Sequence, residues 1–338
     1  MRIAVTGGSG RLGTALLSYL HADGDSELIS IDTQTPLFPP DELHSFALDA
    51  INTESLADCL GGADVVVHLA AKHGAHLAAG LSEEACWASN VDVTRSVLTA
   101  AALVGVRRFI YASSTSVFGK GTPRGAALAI TESMRPRPAD IYDHAKLRGE
   151  EMLLDHPRFP DGSIILRLGR FDYEDELSHE FRKLSTGLDV RDAARAISRV
   201  ISAPSIPESI YCVASDIRLN ELERRLLGEE LEGVVRNAMP NLSRLCQEQE
   251  LPLPARVGKS VSSERFGRAF GWTPAFTVDD WAAGKLRQSA SGNNRTNGIL
   301  PLCEAVLAGT PASHFKRLRP EDSIYLSESG GVHGTVSN

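Results

Sequence analysis

A tyrosine and a lysine lie four residues apart in the segment Tyr142-Asp143-His144-Ala145-Lys146. On a helix this spacing places both side chains on one face, about one side-chain width apart. If the pair lies beside a bound nicotinamide, the ammonium stabilises the phenolate and draws the tyrosine pKa from about 10 toward neutrality. Tyr142 could then take a proton from an alcohol while a hydride leaves the same carbon. The pattern indicates redox chemistry, with an ordinary helix surface as the alternative.

A glycine-rich turn near the start of the chain predicts a dinucleotide site. A short strand at residues 2–6 leads into Gly-Gly-Ser-Gly-Arg-Leu-Gly at residues 7–13, and a helical pattern follows through Leu20. Such glycines allow a tight turn, close approach of the backbone to a pyrophosphate, and close packing of helix on strand. The helix N-terminus offers N–H groups and its positive dipole end to phosphates. The predicted cofactor contacts in this turn are Gly7, Gly10, Arg11, Leu12 and Gly13.

Two acidic residues are candidates for contact with the adenosine end of the cofactor. Asp32 ends the predicted strand 28–31, where a carboxylate can accept hydrogen bonds from the ribose hydroxyls. That carboxylate would repel the extra phosphate of NADP, so we expect NAD, although Arg11 could favour the phosphate instead. Asp49 could accept a hydrogen bond from the adenine amino group, or it could cap the helix that begins near Asn52.

The apolar segment 64–71 predicts a buried parallel strand that ends in small residues. Small residues at the strand end would let the backbone lie against the cofactor. His68, inside the apolar run, is interpreted as a packed, hydrogen-bonded core residue. Asn90, in the helical stretch that follows, is a candidate cofactor contact with a purely structural role as the alternative. The contacts predicted at the strand end are Leu69, Ala70 and Ala71.

A further predicted strand ends in the hydroxyl cluster Ser113-Ser114-Thr115-Ser116, followed by Val117-Phe118-Gly119. Together with the glycine turn, Asp32, the strand end at 68–71 and the Tyr142/Lys146 pair, this cluster resembles the extended short-chain dehydrogenase/reductase family, in its NAD-dependent epimerase/dehydratase group. The resemblance extends over roughly residues 1–200. It implies an α/β fold with a Rossmann-type doubly wound parallel sheet, NAD as cofactor, and a small C-terminal substrate lobe.

The resemblance also implies roles for the catalytic side chains. Ser114 would hydrogen-bond the reacting oxygen, Tyr142 would act as general base or acid, and Lys146 would bind the nicotinamide ribose. Thr115 is the alternative catalytic hydroxyl and a candidate substrate contact. Family members that eliminate water usually carry an Asp-Glu pair after the catalytic hydroxyl residue, whereas this chain has Thr115-Ser116. A dehydratase is therefore disfavoured, and alcohol oxidation, carbonyl reduction or epimerisation remain.

The second half of the chain carries fewer signals. Residues 164–170 resemble the family's next parallel strand, and residues 190–196 resemble the start of the following helix. The short link between them, with its Leu184-Ser185-Thr186 segment, is similar to the uronate dehydrogenase branch, whose substrates are free sugar acids. Arg170 and Arg182 could grip a carboxylate or phosphate through paired hydrogen bonds, or they could simply be solvated.

Composition bounds the class of protein. The 338 residues are 42% hydrophobic and 23% charged, as in ordinary globular proteins. A net charge of −8 argues against a nucleic-acid surface, and no apolar run reaches the length of a membrane span. The five cysteines contain no CxxC pair, and His73 and His76 lack further ligands, so no metal site is expected. We expect a cytoplasmic homodimer that acts on a small molecule.

These observations predict a division of the chain and a function. Residues 1–200 form the NAD-binding domain, with a strand within 205–215 completing its sheet, residues 216–288 form the small substrate lobe, and residues 289–338 form an irregular extension. The predicted activity is NAD-dependent epimerisation or dehydrogenation at a secondary alcohol of a sugar or sugar-nucleotide-like substrate. Uronate-dehydrogenase-like oxidation of a free sugar acid is one alternative. A non-catalytic NAD-sensing scaffold is the alternative from another class.

Overall fold

The computed structural model describes residues 1–34, 43–47, 52–119, 127–156, 159–171, 175–215 and 219–290, and two short strands beyond them. The strands, Tyr325–Leu326 and Val332–His333, pair with each other in antiparallel register. Asp49 and most of the predicted extension 289–338 lie outside the described residues.

Seven parallel strands form the central sheet, in the order β3-β2-β1-β4-β5-β7-β8. Their interior positions are almost entirely buried because helices cover both faces, which is why the sequence reads as continuous apolar runs. The order runs outward in both directions from β1 and β4, as in a doubly wound fold. The predicted fold class is confirmed. The strands are β1 (Arg2–Thr6), β2 (Glu27–Asp32), β3 (Leu43–Ala47), β4 (Val65–His68), β5 (Arg108–Ser114), β7 (Ser163–Leu168) and β8 (Ile210–Val213).

Helices pack on the two faces of this sheet as two separate apolar layers. One core contains Leu16 of α1 and Ile197 of α8, and the other contains Leu56, Val97 and Leu153 from three helices on the opposite face. The helices in this half are α1 (Arg11–Asp23), α2 (Thr53–Leu60), α3 (Gly74–Ala78), α4 (Glu83–Trp87), α5 (Val93–Leu103), α6 (Ile141–Asp155), α7 (Glu176–Arg182) and α8 (Val190–Ile201). A π-helical turn, Ala88–Asp92, joins α4 to α5, and a 3₁₀ turn, Thr115–Phe118, follows β5.

A smaller C-terminal lobe, residues 219–290, has its own apolar core, which includes Leu242, Leu245 and Val278. Two three-residue strands, β6 (Leu128–Ile130) and β9 (Lys259–Val261), pair in parallel beside it. Pro240 occupies the first turn of a helix in this region, where its missing N–H costs nothing. The helices here are α9 (Glu221–Leu226), α10 (Leu231–Ala238), α11 (Pro240–Glu248) and α13 (Val278–Ala290). A further helix, α12 (Glu264–Phe270), packs instead on the central sheet, with Phe266 in the core that contains Leu16.

No helix within the described ranges combines the length and the hydropathy needed to span a lipid bilayer.

Candidate active site

The Tyr142/Lys146 pair lies in the first two turns of α6. Asp140 caps this helix by accepting a hydrogen bond from the Asp143 N–H at 3.0 Å. Lys146 is only 3% exposed, and its Nζ donates to the carbonyl oxygen of Ala112 in β5 at 2.7 Å. The same Nζ lies 6.0 Å from the ring centroid of Tyr142. The helix therefore holds the ammonium between the tyrosine and the carboxyl end of β5, as the four-residue spacing predicts.

The electrostatic state of Lys146 differs from that of a surface lysine. Burial lowers its pKa from 10.5 to about 8, and the carboxylate of Glu150 acts in the opposite direction. Burial dominates because the ammonium loses water and gains a neutral carbonyl, not a carboxylate, as its contact. Near neutral pH the group is still charged and lies near the Tyr142 ring, so it can stabilise a phenolate there.

Two buried rings, those of Tyr111 and His68, lie next to Lys146. The buried ring of Tyr111 lies 5.0 Å from Lys146 Nζ, and His68 stacks on that ring at 5.7 Å between centroids. His68 is within hydrogen-bond distance of Thr6 Oγ1 at 2.6 Å and of Thr94 Oγ1 at 2.9 Å. Burial and the nearby Lys146 lower its pKa to about 3, so it is uncharged at neutral pH. His68 is thus confirmed as a packed, hydrogen-bonded core residue.

The hydroxyl cluster lies where β5 passes into the 3₁₀ turn. Ser114 Oγ accepts a hydrogen bond from the Ser116 N–H at 3.1 Å, which fixes its side chain at the start of that turn. Ser114 is half-buried, whereas Thr115 is 6% exposed. Both strand β5 and this turn pack against α6. The structure therefore brings the serine and the tyrosine to the same edge of the sheet, and their catalytic roles stay a prediction.

A buried ion pair anchors the strand just before Ser114. Glu150, one turn after Lys146 on the same helix face, accepts from Ser113 Oγ at 2.5 Å and from Arg167 Nη2 at 2.7 Å. Both partners of the pair are at most 4% exposed. Because an unpaired buried charge is costly, this contact ties α6 to β5 and β7 at fixed register. Sequence reasoning missed Glu150 and Arg167.

The glycine turn has the shape of a backbone cradle. Gly7 has a φ of 74°, and a Cβ at this position would lie 2.6 Å from the Ala70 nitrogen. A Cβ on Gly13 would lie 2.2 Å from the carbonyl oxygen of Gly7. Gly10 precedes α1 and contributes no capping side chain, so the helix start presents backbone N–H groups. These features fit a pyrophosphate at the helix N-terminus, with Leu12 in the first turn.

The side chains of Asp32 and Arg11 have hydrogen-bond partners in different parts of the site. The Asp32 carboxylate accepts from the Ser9 N–H at 3.0 Å and the Gln34 N–H at 3.1 Å, which holds it beside the glycine turn. Arg11 donates from Nη1 to the carbonyl oxygen of Phe171 at 2.9 Å, across the site from β2. This orientation favours ribose hydroxyls over a ribose phosphate at Asp32. Asn52 caps α2 by accepting a hydrogen bond from the Ser55 N–H.

The strand end after β4 is stabilised from the π-helical turn. Leu69, Ala70 and Ala71 are half-buried at the carboxyl edge, beside the Gly7 turn. Asn90 is 1% exposed and donates from Nδ2 to the carbonyl oxygens of Lys72 at 2.8 Å and Cys86 at 2.7 Å. The structural alternative for Asn90 is therefore visible in the contacts. A direct cofactor contact stays a prediction.

Arg170 and Arg182 flank one turn in the link after β7. The Arg170 N–H donates to the Thr186 carbonyl at 2.7 Å, and the Gly187 N–H donates to the Arg182 carbonyl at 2.8 Å. Arg170 is exposed and Arg182 half-buried. The backbones of the two arginines therefore meet at the same turn although twelve positions separate them in sequence, and a shared role in binding an anion stays a prediction.

A second buried charge cluster, which sequence reasoning also missed, braces this link. Lys183 Nζ lies 2.8 Å from Glu180 Oε1 and 3.2 Å from Asp189 Oδ2, and Arg191 also pairs with Asp189. His179, Glu180 and Asp189 place their ligand atoms within 4.8 Å of one another, but the ammonium of Lys183 already lies against both carboxylates. The cluster is therefore an internal ion-pair network.

Comparison with known proteins identifies the family. Residues 3–168 match the model of the NAD dependent epimerase/dehydratase family. The match covers just under half of the chain, and within this segment the chain is similar to that family. The predicted resemblance is confirmed, and so is NAD as the family's cofactor.

Individual relatives are more distant. An uncharacterized UDP-glucose epimerase, YtcB, of Bacillus subtilis is 29% identical over 45% of this chain and 50% of its own length. An uncharacterized Sinorhizobium fredii protein, y4nG, is 30% identical over 43% of this chain and 35% of its own. The chain thus spans half or less of the length of these two curated relatives.

Several solved structures share the fold of this chain. MoeE5 in complex with UDP-glucuronic acid and NAD has a TM-score of 0.62 and 20% identity, covering 86% of this chain and 100% of that chain. A mutated uronate dehydrogenase has a TM-score of 0.59 and 19% identity, covering 85% and 86%. At these identities the likeness shows the fold alone.

Proposed function

We propose that this chain is an NAD-dependent enzyme that oxidises a secondary alcohol of a sugar or sugar nucleotide, either as a dehydrogenase or as the first half of an epimerisation. The observation that carries the proposal is the buried Lys146 ammonium, bonded to the Ala112 carbonyl at 2.7 Å and 6.0 Å from the Tyr142 ring. Burying an ammonium group is unfavourable, and a role in stabilising the phenolate of Tyr142 would explain why Lys146 is buried here.

The residues of the chain divide the work as follows. The glycine turn and Asp32 would hold the cofactor's pyrophosphate and adenosine ribose, and Lys146 its nicotinamide ribose. Bound NAD would accept the hydride. Ser114 would donate a hydrogen bond to the reacting oxygen, and Tyr142 would remove the hydroxyl proton. Lys146 would keep the Tyr142 phenol acidic enough to do so near neutral pH.

A second candidate within the same class is oxidation of a free sugar acid. The observation that favours it is the turn flanked by Arg170 and Arg182, in a link of only about twenty residues between β7 and α8. Two guanidinium groups beside one turn suit a carboxylate, which each can bind through parallel hydrogen bonds. The short link offers little chain to enclose a nucleotide. The uronate dehydrogenase among the similar folds is consistent with this candidate.

The test is a substrate panel on the full-length chain with NAD and, separately, NADP. The panel contains UDP-glucose, UDP-galactose, UDP-glucuronic acid, and free glucuronic and galacturonic acids. Absorbance of the reduced nicotinamide reports net oxidation, and chromatography of the sugars reports epimerisation. A dehydrogenase releases NADH in proportion to product, whereas an epimerase converts the sugar with no net NADH. The Tyr142→Phe variant is the matched control.

The outcomes separate the classes. Turnover of free acids alone selects the sugar-acid candidate, and turnover of nucleotide sugars selects the first proposal. NAD binding without turnover of any panel member would contradict both and favour the non-catalytic NAD-sensing scaffold. Equal turnover by the Tyr142→Phe variant would remove Tyr142 from the mechanism.

A further inference from the structure

Lys259 joins three segments of the chain that otherwise belong to different parts of the fold. It begins strand β9 of the two-stranded sheet beside the C-terminal lobe, opposite Leu128 of β6. Its Nζ donates to the carbonyl oxygen of Gly119, 140 positions earlier in the chain, at 2.9 Å. The side chain is half-buried and thus partly removed from water. The Lys259 side chain therefore connects two segments that are far apart in sequence.

The acceptor of that hydrogen bond terminates the turn that begins at Ser114. Gly119 has a φ of 80°, and a Cβ there would lie 2.3 Å from the Arg137 carbonyl oxygen. The Arg137 N–H donates in turn to the Val117 carbonyl at 2.8 Å. The turn after the serine is therefore packed directly against the segment that leads to Tyr142. Lys259 holds the end of this arrangement.

A buried carboxylate next to Tyr142 faces the same lysine. Asp143 is 1% exposed, and its Oδ2 accepts from the Ala139 N–H at 3.0 Å. Burial lowers the pKa of Lys259, and attraction to Asp143 opposes this shift. The ammonium is thus drawn toward the first turn of α6 as well as to Gly119.

The backbone of β9 makes the third connection, to the link that carries the two arginines. Ser185 Oγ donates to the Lys259 carbonyl at 2.7 Å, and the Val261 N–H donates to the Ser185 carbonyl at 3.1 Å. Ser185 lies just after Arg182, on the turn predicted to meet the substrate. One residue of β9 therefore contacts the serine turn through its side chain and the arginine turn through its backbone.

We propose that Lys259 is a positioning residue, whose ammonium group couples the C-terminal lobe and the Ser185 turn to the geometry of Ser114 and Tyr142. This inference rests on the proposed function for its kinetic consequence, but its structural consequence can be measured without turnover. Movement of the lobe around a substrate would be transmitted to the reacting groups through this side chain. Loss of the ammonium should loosen the serine turn and leave the cofactor turn unchanged.

The experiment compares Lys259→Met with Lys259→Arg and with Lys285→Met. Methionine keeps the alkyl chain without the charge, and arginine restores a cationic donor. Lys285 is the matched control because it is also a lysine of the C-terminal lobe, and its Nζ pairs with Glu176 of α7 at 2.8 Å in a half-exposed contact away from β9. Each variant is examined by amide hydrogen exchange in the full chain with NAD alone, and by kinetics with every panel member that the wild type converts.

We expect peptides covering residues 115–119 and 137–143 to exchange about fivefold faster or more in Lys259→Met, with little change in Lys285→Met. We expect kcat to fall about tenfold, because small displacements of reacting groups are costly, while KM for NAD changes less than about twofold. Lys259→Arg should recover most of both effects.

Unchanged exchange in Lys259→Met, or equal acceleration in Lys285→Met, would overturn the proposal, since the side chain would then have no specific effect on the serine turn. A wild-type chain that binds NAD and converts no panel member would instead contradict the proposed function. In that case the exchange comparison alone decides the role of Lys259.

Discussion

Two lysines, Lys146 of α6 and Lys183 of the link after β7, are buried to a similar depth and differ in the groups that surround them. Lys146 is 3% exposed and Lys183 2% exposed. The ammonium of Lys146 contacts a neutral carbonyl, and two tyrosine rings lie 5.0 and 6.0 Å away. The ammonium of Lys183 lies between the carboxylates of Glu180 and Asp189.

The neighbours move the two pKa values in opposite directions. Burial lowers the pKa of Lys146 to about 8. Burial alone would lower that of Lys183 too, but Asp189 and Glu180 together raise it above the ordinary value. Equal burial therefore produces one lysine whose charge can change near neutral pH and one whose charge is fixed. The partner, and not the depth, decides which lysine suits chemistry.

The carboxylates around Lys183 also have shifted pKa values. Around Lys183, burial raises the pKa of Glu180 to about 7, whereas Lys183 and Arg191 hold that of Asp189 far below its usual range despite its burial. Asp189 also caps α8. The ion pairs therefore connect the link between β7 and α8, which carries Arg170 and Arg182, to a helix that packs on the sheet. Lys146 makes a simpler structural contact, a hydrogen bond from α6 to the Ala112 carbonyl of β5.

The largest effect that tests this contrast is loss of stability in Lys183→Met. When the ammonium is removed, Asp189 is still paired with Arg191. Glu180, however, stays buried and loses the cation that compensates its charge. Breaking a buried pair typically costs about 3–5 kcal/mol. Because burial raises the pKa of Glu180 to about 7, the carboxyl group can take up a proton once its cation is removed, which places the expected loss near the lower end. Urea unfolding at neutral pH measures it.

The control for this prediction is Lys285→Met, which removes the half-exposed pair with Glu176. Surface pairs of this kind contribute about 0–1 kcal/mol. Similar losses in the two variants would show that the Lys183 network contributes no more than an ordinary surface contact.

The next effect is on turnover. Tyr142→Phe removes the group that Lys146 is proposed to serve, and we expect kcat to fall about a hundredfold or more with NAD affinity nearly unchanged, as for loss of a general acid or base. Initial rates with a converted panel member and a titration with NAD measure the two quantities. A fall in NAD affinity that accounts for the whole loss of rate would assign Tyr142 to cofactor binding and not to proton transfer.

The first half of the chain was readable from sequence because its signals are local. Gly7 to Gly13 lie in one turn, and Tyr142 and Lys146 lie one helical turn apart, so residue type and spacing suffice. His68 could be placed in the core because the apolar run around it leaves no exposed face. The sheet order then follows from the apolar strands and their helical connections.

The remaining features depend on contacts that spacing does not reveal. Lys183 and Glu180 resemble any charged pair on a surface helix, and only the packing of the link shows that they are buried. Lys259 meets Gly119 through a pairing of two three-residue strands, which are too short to produce a periodic pattern. Glu150 lies four residues after Lys146, so continuing the helical stripe by one turn could have indicated it.

The smallest expected effect concerns the pH dependence of stability in the cofactor-free chain. The folded-state pKa of Lys146 is lowered from 10.5 to about 8. Between these values the unfolded chain binds the proton and the folded chain does not, so stability rises with pH. We therefore expect the unfolding free energy of wild type minus Lys146→Met to rise from about pH 8 upward, with a slope of at most about 1.4 kcal/mol per pH unit.

The proton of Lys183 should contribute no pH dependence of stability over the pH range in which Lys146 does. Because the Lys183 pKa is raised above 10.5, both folded and unfolded chains keep that proton between about pH 8 and pH 9.5, so Lys183 itself contributes no slope there. Any slope of wild type minus Lys183→Met in this window reports Glu180, whose pKa rises further when its cation is removed. His68, with a pKa of about 3, is neutral throughout and cannot produce the slope. Urea unfolding at several pH values measures both differences. A flat curve for wild type minus Lys146→Met would mean that Lys146 keeps an ordinary pKa, and the distinction between the two lysines would then have to rest on turnover alone.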